Sequence, residues 1–108
     1  MDATLDGLLA RLESATGSDR QLDAALAQAF GGGEPAPDYT ASVDRSLDLI
    51  HVLLPGWAWH IGWNATGVLP YATLHGPQGL IAASAATVPL ALLKALLRAR
   101  ETMAAGPA

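Results

Sequence analysis

Hydrophobic residues in the first part of the chain recur with the period of an α-helix. Between residues 2 and 15 the leucines are spaced three and four apart, at Leu5, Leu8, Leu9 and Leu12. This spacing puts them on one face and predicts an amphipathic helix that ends before Gly17. Ser18 or Asp19 can cap a second helix, which is predicted to end at Phe30. Three glycines follow, and glycine readily adopts the left-handed conformation that ends a helix.

The pattern changes period after a loop at 31–41 and a third predicted helix at 43–54, for which Ser42 is a good cap. From Trp57 to Trp63 bulky and small residues alternate, which is typical of a strand with one heavy face. Turn residues at 64–67 and 75–79 bound two further predicted strands, at 68–74 and 80–85. Because the connections are short, we predict an antiparallel sheet.

A last helix is predicted over about residues 88–104, with Thr87 as its cap and Pro89 in its first turn, where a missing N–H costs little. The order of elements is then ααα-βββ-α. We therefore predict one α+β domain over residues 1–108, in which a three-stranded antiparallel sheet is layered between helices. A flexible tail is expected at about 104–108.

Charge is distributed unevenly along the 108 residues. Residues 1–48 carry nine acids and three arginines, a net charge of −6, and residues 94–108 carry a net +2. The 45 residues between Asp48 and Lys94 have no formal charge. Exposed strand edges usually carry a charge or a proline that prevents stray pairing. We therefore expect helices or a second copy of the chain to cover the neutral strands, and we predict a homo-oligomer.

Composition excludes several classes of function. The chain has no cysteine, so disulfides, thiol catalysis and cysteine-ligated metals are excluded. The acidic start does not resemble a secretory signal, and no run of about 20 apolar residues is present, so a cytoplasmic protein without a membrane span is predicted. The motifs of a serine nucleophile elbow and a phosphate loop are both absent, and we predict neither an enzyme nor a cofactor. His51, His60 and His75 lack the spacing of metal ligands.

Three segments resemble the phage ABA-sandwich family of small phage and prophage proteins. They are Asp38-Tyr39-Thr40-Ala41-Ser42 before a helix, Gly56-Trp57-Ala58-Trp59 at the start of a strand, and the run AATVPLALLKALLRAR from residue 85 to residue 100. The resemblance covers about residues 38–101. It implies a sheet between helical layers, a phage or prophage origin and an accessory role. It carries over no catalytic residue.

Aromatic side chains of the sheet are candidates for a ligand site. Trp57, Trp59 and Trp63 share one strand face, which is either the protein core or the wall of a pocket. In a pocket, one of them or Tyr71 would stack on a flat ligand, and His60 would add a polar contact.

Lys94, Arg98 and Arg100 on the last helix are the candidate cations. They are either a basic helix end, which the helix dipole favours, or contacts for phosphate or an acidic partner. Three cations in an acidic chain do not form a binding surface for duplex nucleic acid, so no duplex is expected as a partner.

The sequence thus favours a non-catalytic, phage-type accessory binding protein. As a homo-oligomer in the host cytoplasm, it would sequester a nucleotide-like signal of host defence. Its candidate contacts are Trp57, Trp59, His60, Trp63, Tyr71, Lys94, Arg98 and Arg100. One alternative is an inhibitor of the anti-CRISPR type, which docks the acidic surface of residues 1–48 on a host protein. Another is an accessory protein of the virion or of replication.

Overall fold

The computed structural model describes residues 3–77 and 79–105, and it confirms the α+β class and the predicted order of elements. The helices are α1 (Ala3–Ser14), α2 (Arg20–Phe30), α3 (Val43–Leu53) and α4 (Val88–Ala105). The strands are β1 (Ala58–Trp63), β2 (Pro70–Gly76) and β3 (Gly79–Ser84). A 3₁₀ turn that was not predicted, Tyr39–Ala41, lies between α2 and α3.

The helix ends follow from local capping. Asp19 accepts hydrogen bonds from two backbone N–H groups in the first turn of α2, at 2.9 and 3.1 Å. Ser42 and Thr87 do the same for α3 and α4, each with one bond, at 3.1 and 3.3 Å. Gly31 ends α2 with a φ of 77°, a conformation that costs glycine little. Because each cap is a property of a few neighbouring residues, the predicted helix ends were correct to within about one residue.

The sheet has the order β1-β2-β3 and both of its pairings are antiparallel. β2 begins two residues later than predicted because Asn64 organises a longer turn. The Asn64 side chain accepts a hydrogen bond from the Val68 N–H at 3.2 Å, and the Asn64 N–H donates to the Leu69 carbonyl at 3.0 Å. Val68 and Leu69 therefore belong to the turn rather than to the strand.

The second hairpin is tighter than predicted. His75 and Gly76 continue β2, and Gly76 pairs with Gly79 at the start of β3. The predicted turn at 75–79 was therefore too long, and His75 lies in a strand. Strand pairing extends to Gly76 and Gly79, which turn-forming residue types alone do not reveal.

Helix α4 is the central element of the fold. It packs against β2 and β3 on one side and against α1, α3 and the 3₁₀ turn on the other. Helix α2 is attached through α1 and the 3₁₀ turn. The helices thus pack against the sheet from one side and do not enclose it as the predicted layering has it, because α4 covers one face and the other carries the exposed residues His60, His75 and Ala82. The largest fully buried apolar side chains are Leu12, Leu22, Leu26, Ile50, Leu54, Leu74, Leu90, Leu92, Leu93, Leu96 and Leu97.

Helix α4 extends to Ala105, so the first two residues of the predicted tail are helical, and residues 106–108 lie outside the described residues. Among the helices of the described chain, none combines the length and the apolar character that crossing a membrane requires.

Candidate functional site

Two cations of α4 cover the free edge of β3. Arg98 Nη1 donates to the carbonyl of Ala82 at 2.9 Å, and Lys94 Nζ donates to the carbonyl of Ser84 at 3.1 Å. The Ala85 N–H donates to the Pro70 carbonyl, so Ala85 and every second residue before it bond to β2. Ala82 and Ser84 fall between those residues, and their N–H and carbonyl groups therefore face away from β2. The chain's own helix therefore binds two of the outward carbonyls at the β3 edge.

A groove of about 490 Å³ lies beside these cations. An aromatic ring, an amide, a hydroxyl and two cations border it. This set of groups suits a flat ligand that carries a phosphate, because the ring can stack on the ligand and the cations can donate to its oxygens. The residues that line the groove are Asn64, Tyr71, Ala82, Ala83, Ser84, Lys94 and Arg98.

The Tyr71 ring packs over Gly62, which faces it on β1. Gly62 is the cross-strand partner of Tyr71, and a Cβ built on Gly62 would lie 2.9–3.0 Å from the tyrosine ring and hydroxyl. The His60 ring lies on the same sheet face, with its centroid 6.0 Å from that of Tyr71 and its plane tilted by 39°. Gly62 thus supports one side of the tyrosine, and the half-buried ring remains partly accessible to a ligand.

Lys94 and Arg98 keep donors that a ligand could use. An ammonium group has three N–H donors and a guanidinium has five, whereas the backbone of β3 takes one bond from each side chain. Arg98 Nη2 also lies 3.9 Å from Glu13 Oε1, and both side chains are well exposed, at 39% and 51%. Such an exposed pair contributes little, so Glu13 is a weak competitor for an anionic ligand.

Arg100 does not join these cations. At 3.6 residues per turn, it projects about 160° away from Arg98 around the helix. It is also absent from the residues that line the groove. The structure therefore brings Lys94 and Arg98 together at the groove and leaves Arg100 outside it.

The predicted tryptophan face also divides. Trp57 lies directly against the backbone of Gly76 and packs on the core. Trp59 and Trp63 are 42% and 61% exposed. The reason is the position of α4, which lies over β2 and β3, whereas β1 makes no extensive contact with any helix. The core interpretation thus holds only for Trp57, and all three tryptophans lie on the opposite sheet face from Tyr71.

Sequence reasoning missed a buried polar network between α2 and the 3₁₀ turn. Asp23 Oδ1 accepts hydrogen bonds from the Thr40 N–H at 2.8 Å and from the Thr40 hydroxyl at 2.7 Å. Arg20 donates to Asp23 Oδ2 at 3.0 Å. Asp23 is fully buried, although it is one of the nine acids counted in residues 1–48. The sequence does contain a signal for this burial. Asp23 lies three residues before Leu26 and four before Ala27, and this spacing puts it on the same, buried face of α2.

Tyr39 lies beside this network and is 4% exposed. Its carbonyl accepts a hydrogen bond from the buried Ser46 hydroxyl at 2.8 Å. Burial raises the pKa of the Tyr39 phenol above its ordinary value, and the charges of Asp23 and Asp48 raise it further. The network is fully hydrogen-bonded, which indicates a role in stability.

His51 lies on α3, whereas His60 and His75 lie on the same face of the neighbouring strands β1 and β2. Across residues 3–77 and 79–105, no group of three histidine or acidic side chains is arranged to hold a metal ion. Comparison with known proteins found no matching family model, no similar curated protein and no similar solved structure. The resemblance of residues 38–101 to the phage ABA-sandwich family stays a prediction, and the functional argument depends on the groove.

Proposed function

We propose that the protein is a non-catalytic binding protein that holds a flat, phosphate-bearing ligand of the nucleotide type. The observation that carries this proposal is the meeting of Tyr71, Lys94 and Arg98 at one groove of about 490 Å³. The groove is shallow and open, so a ligand held there keeps one side in contact with solvent.

Each lining group has a part in binding. The ligand's ring system stacks on Tyr71, a contact worth about 1–3 kcal/mol for a nucleobase. Its phosphate accepts hydrogen bonds from Lys94 and Arg98, and the geometry of the guanidinium allows two parallel bonds. The Asn64 amide and the Ser84 hydroxyl contribute to the choice of ligand. No carboxylate lines the groove to repel an anion, and no acid or histidine lines it to serve as a general base.

A nucleotide-binding groove is compatible with the resemblance to phage accessory proteins. Under this proposal the protein sequesters a nucleotide-like signal of host defence within the host cell. Binding alone suffices for this role, because a captured signal no longer reaches its receptor.

The acidic surface supports the alternative of a docked host protein less well. Asp23 is buried, and Asp48 pairs with Arg45 at 2.9 Å. Asp19 is engaged as the cap of α2. These contacts reduce the free negative charge that a basic partner would meet, so the groove is the better supported site.

Calorimetric titration with a 3′,5′-cyclic mononucleotide, a cyclic dinucleotide and ADP-ribose tests the proposal. We expect at least one of them to bind, and we expect Arg98→Gln and Tyr71→Leu each to weaken that binding about tenfold, the loss of one charged contact or one stacked ring. Arg100→Gln is the matched control, because it removes the same charge from the far side of the same helix.

Arg98 also binds the backbone of β3, so thermal unfolding of each variant without ligand must accompany the titrations. The proposal fails if none of the three compounds binds at concentrations up to about 1 mM, the limit of weak binding. It also fails if Arg100→Gln weakens binding as much as Arg98→Gln does.

A further inference from the structure

The free edge of β1 differs from that of β3. The hydrogen bond from the Asn64 N–H to the Leu69 carbonyl fixes which residues of β1 bond to β2. Hydrogen-bonded positions alternate along an antiparallel pair, so the N–H and carbonyl groups of Trp59, Ile61 and Trp63 face away from β2.

No cation reaches these groups in the part of the chain that the structure describes. The hydrogen bonds of Lys94 and Arg98 go to β3, and β1 has no extensive contact with a helix. An open edge of this kind is a template for another strand. The exposed rings of Trp59 and Trp63 lie along it.

We infer that β1 pairs antiparallel with β1 of a second copy of the chain, about a two-fold axis through Ile61. In this register Ile61 faces Ile61 of the second copy, and Trp59 faces Trp63 of the second copy. The two three-stranded sheets then form one continuous sheet. The inference concerns the free edge of β1, whereas the cations of the ligand groove lie at the β3 edge, and it does not depend on the proposed ligand.

The pattern of the strand favours a second copy as the occupant. The three outward-facing residues are spaced symmetrically about Ile61. In two antiparallel copies of this strand, their N–H and carbonyl groups therefore pair with one another and form about six hydrogen bonds. A two-fold axis brings like residues together, and like charges that face each other across strands destabilise a sheet. Residues 49–93 carry no formal charge, so the pairing creates no such repulsion.

The exposed surface of Trp59 and Trp63 indicates how strong the dimer should be. If a tryptophan side chain presents roughly 250 Å², exposures of 42% and 61% leave about 250 Å² of indole surface per copy. Two copies then contribute about 500 Å² from tryptophan, with strand backbone in addition, and the total stays near or below the 1,200 Å² of a small stable interface. We therefore expect a dimer whose population rises with concentration.

Cysteine cross-linking tests the register, and the natural chain has no cysteine to interfere. Facing residues in a hydrogen-bonded antiparallel pair have Cα atoms about 5.5 Å apart, within the range for a disulfide. Ile61→Cys should form a disulfide dimer under mild oxidation at least about tenfold faster than Trp59→Cys or Trp63→Cys alone, since only residue 61 faces itself. A mixture of the Trp59→Cys and Trp63→Cys proteins should form the mixed dimer.

Sedimentation of the full chain over about 1 μM to 1 mM tests the edge, a range suited to a weak interface. Trp63→Lys should weaken the dimer at least tenfold, the effect of a charge buried without a partner. Leu80→Lys is the matched control, because Leu80 is 57% exposed on β3, the other edge strand, where Lys94 and Arg98 bind the carbonyls of Ser84 and Ala82. Circular dichroism of each variant confirms that it folds.

A natural chain that stays at 11.1 kDa throughout that range overturns the inference and leaves the β1 edge to a different protein. The inference is also overturned if Leu80→Lys dissociates the dimer and Trp63→Lys does not, or if Ile61→Cys cross-links no faster than the exposed α3 variant Val52→Cys.

Discussion

Helices α2 and α3 each carry an arginine three residues before an aspartate, and the two ion pairs differ chiefly in burial. Arg20 lies 3.0 Å from Asp23, and Arg45 lies 2.9 Å from Asp48. The arginines are similarly exposed, at 60% and 56%, whereas the aspartates are 0% and 60% exposed. We predict that Asp23→Ala destabilises the protein far more than Asp48→Ala does.

The magnitude follows from the groups that Asp23 would leave without a partner. Asp23→Ala removes two hydrogen bonds from Thr40 to a charged group, each worth about 1.5–3 kcal/mol, and leaves the buried Thr40 N–H without a partner, so we expect a loss of about 3–5 kcal/mol. Asp48→Ala breaks an exposed pair that contributes about 0.3–0.5 kcal/mol. Asp23→Asn should cost about 1–2 kcal/mol, because the amide oxygen can still accept both bonds from Thr40 while the charge is lost.

Urea unfolding followed by circular dichroism measures these differences. The free energy of unfolding should fall in the order natural chain, Asp48→Ala, Asp23→Asn and Asp23→Ala, with similar slopes against urea concentration. A loss of about 3–5 kcal/mol is a large part of the 5–15 kcal/mol that is typical of folded domains. If Asp23→Ala and Asp48→Ala lowered the free energy equally, burial would not be what separates the two pairs, and the reasoning would be refuted.

Two further predictions concern Tyr39 and Gly76. Because the pKa of Tyr39 is raised in the folded state, its contribution to stability is complete below the unfolded pKa of about 10 and is lost as pH rises through the folded value. Urea midpoints from about pH 8 to 11 should therefore fall more steeply for the natural chain than for Tyr39→Phe, and parallel curves would contradict this. Gly76→Ala should cost about 1–3 kcal/mol and change tryptophan emission, because the new Cβ overlaps the Trp57 ring. Gly7→Ala on α1, where nothing lies within 4 Å of the new Cβ, should stabilise by about 0.5–1 kcal/mol, and a destabilised Gly7→Ala with an unchanged Gly76→Ala would contradict the steric argument.

Helix positions could be predicted from the sequence because their determinants are local. Asp19, Ser42 and Thr87 each bond to N–H groups within three residues, and the leucine stripes need only the helical period. The start of β2 was placed too early because it depends on the turn that Asn64 organises. Strand limits depend on pairing with another strand, which periodicity alone does not contain.

The candidate site could be predicted only in its residue types. Tyr71, Lys94 and Arg98 meet because α4 packs along β3, a tertiary contact that spacing along the chain does not encode. The separation of Arg100 could have been predicted, since residues two apart on a helix do not face the same way. The exposure of Trp59 and Trp63 could not, because it depends on which strands α4 covers.

The long uncharged segment has different consequences at the two edges of the sheet. The cations that cover β3 lie just beyond the end of that segment, and α4 carries them back to the carbonyls of Ser84 and Ala82. The other edge strand, β1, is too far from α4 to receive the same cover, as the exposure of Trp63 indicates. A lysine at residue 63 would give β1 a charge of the kind that Lys94 gives β3. Dissociation by Trp63→Lys, with none by Leu80→Lys, would therefore identify β1 as the edge at which the chain self-associates.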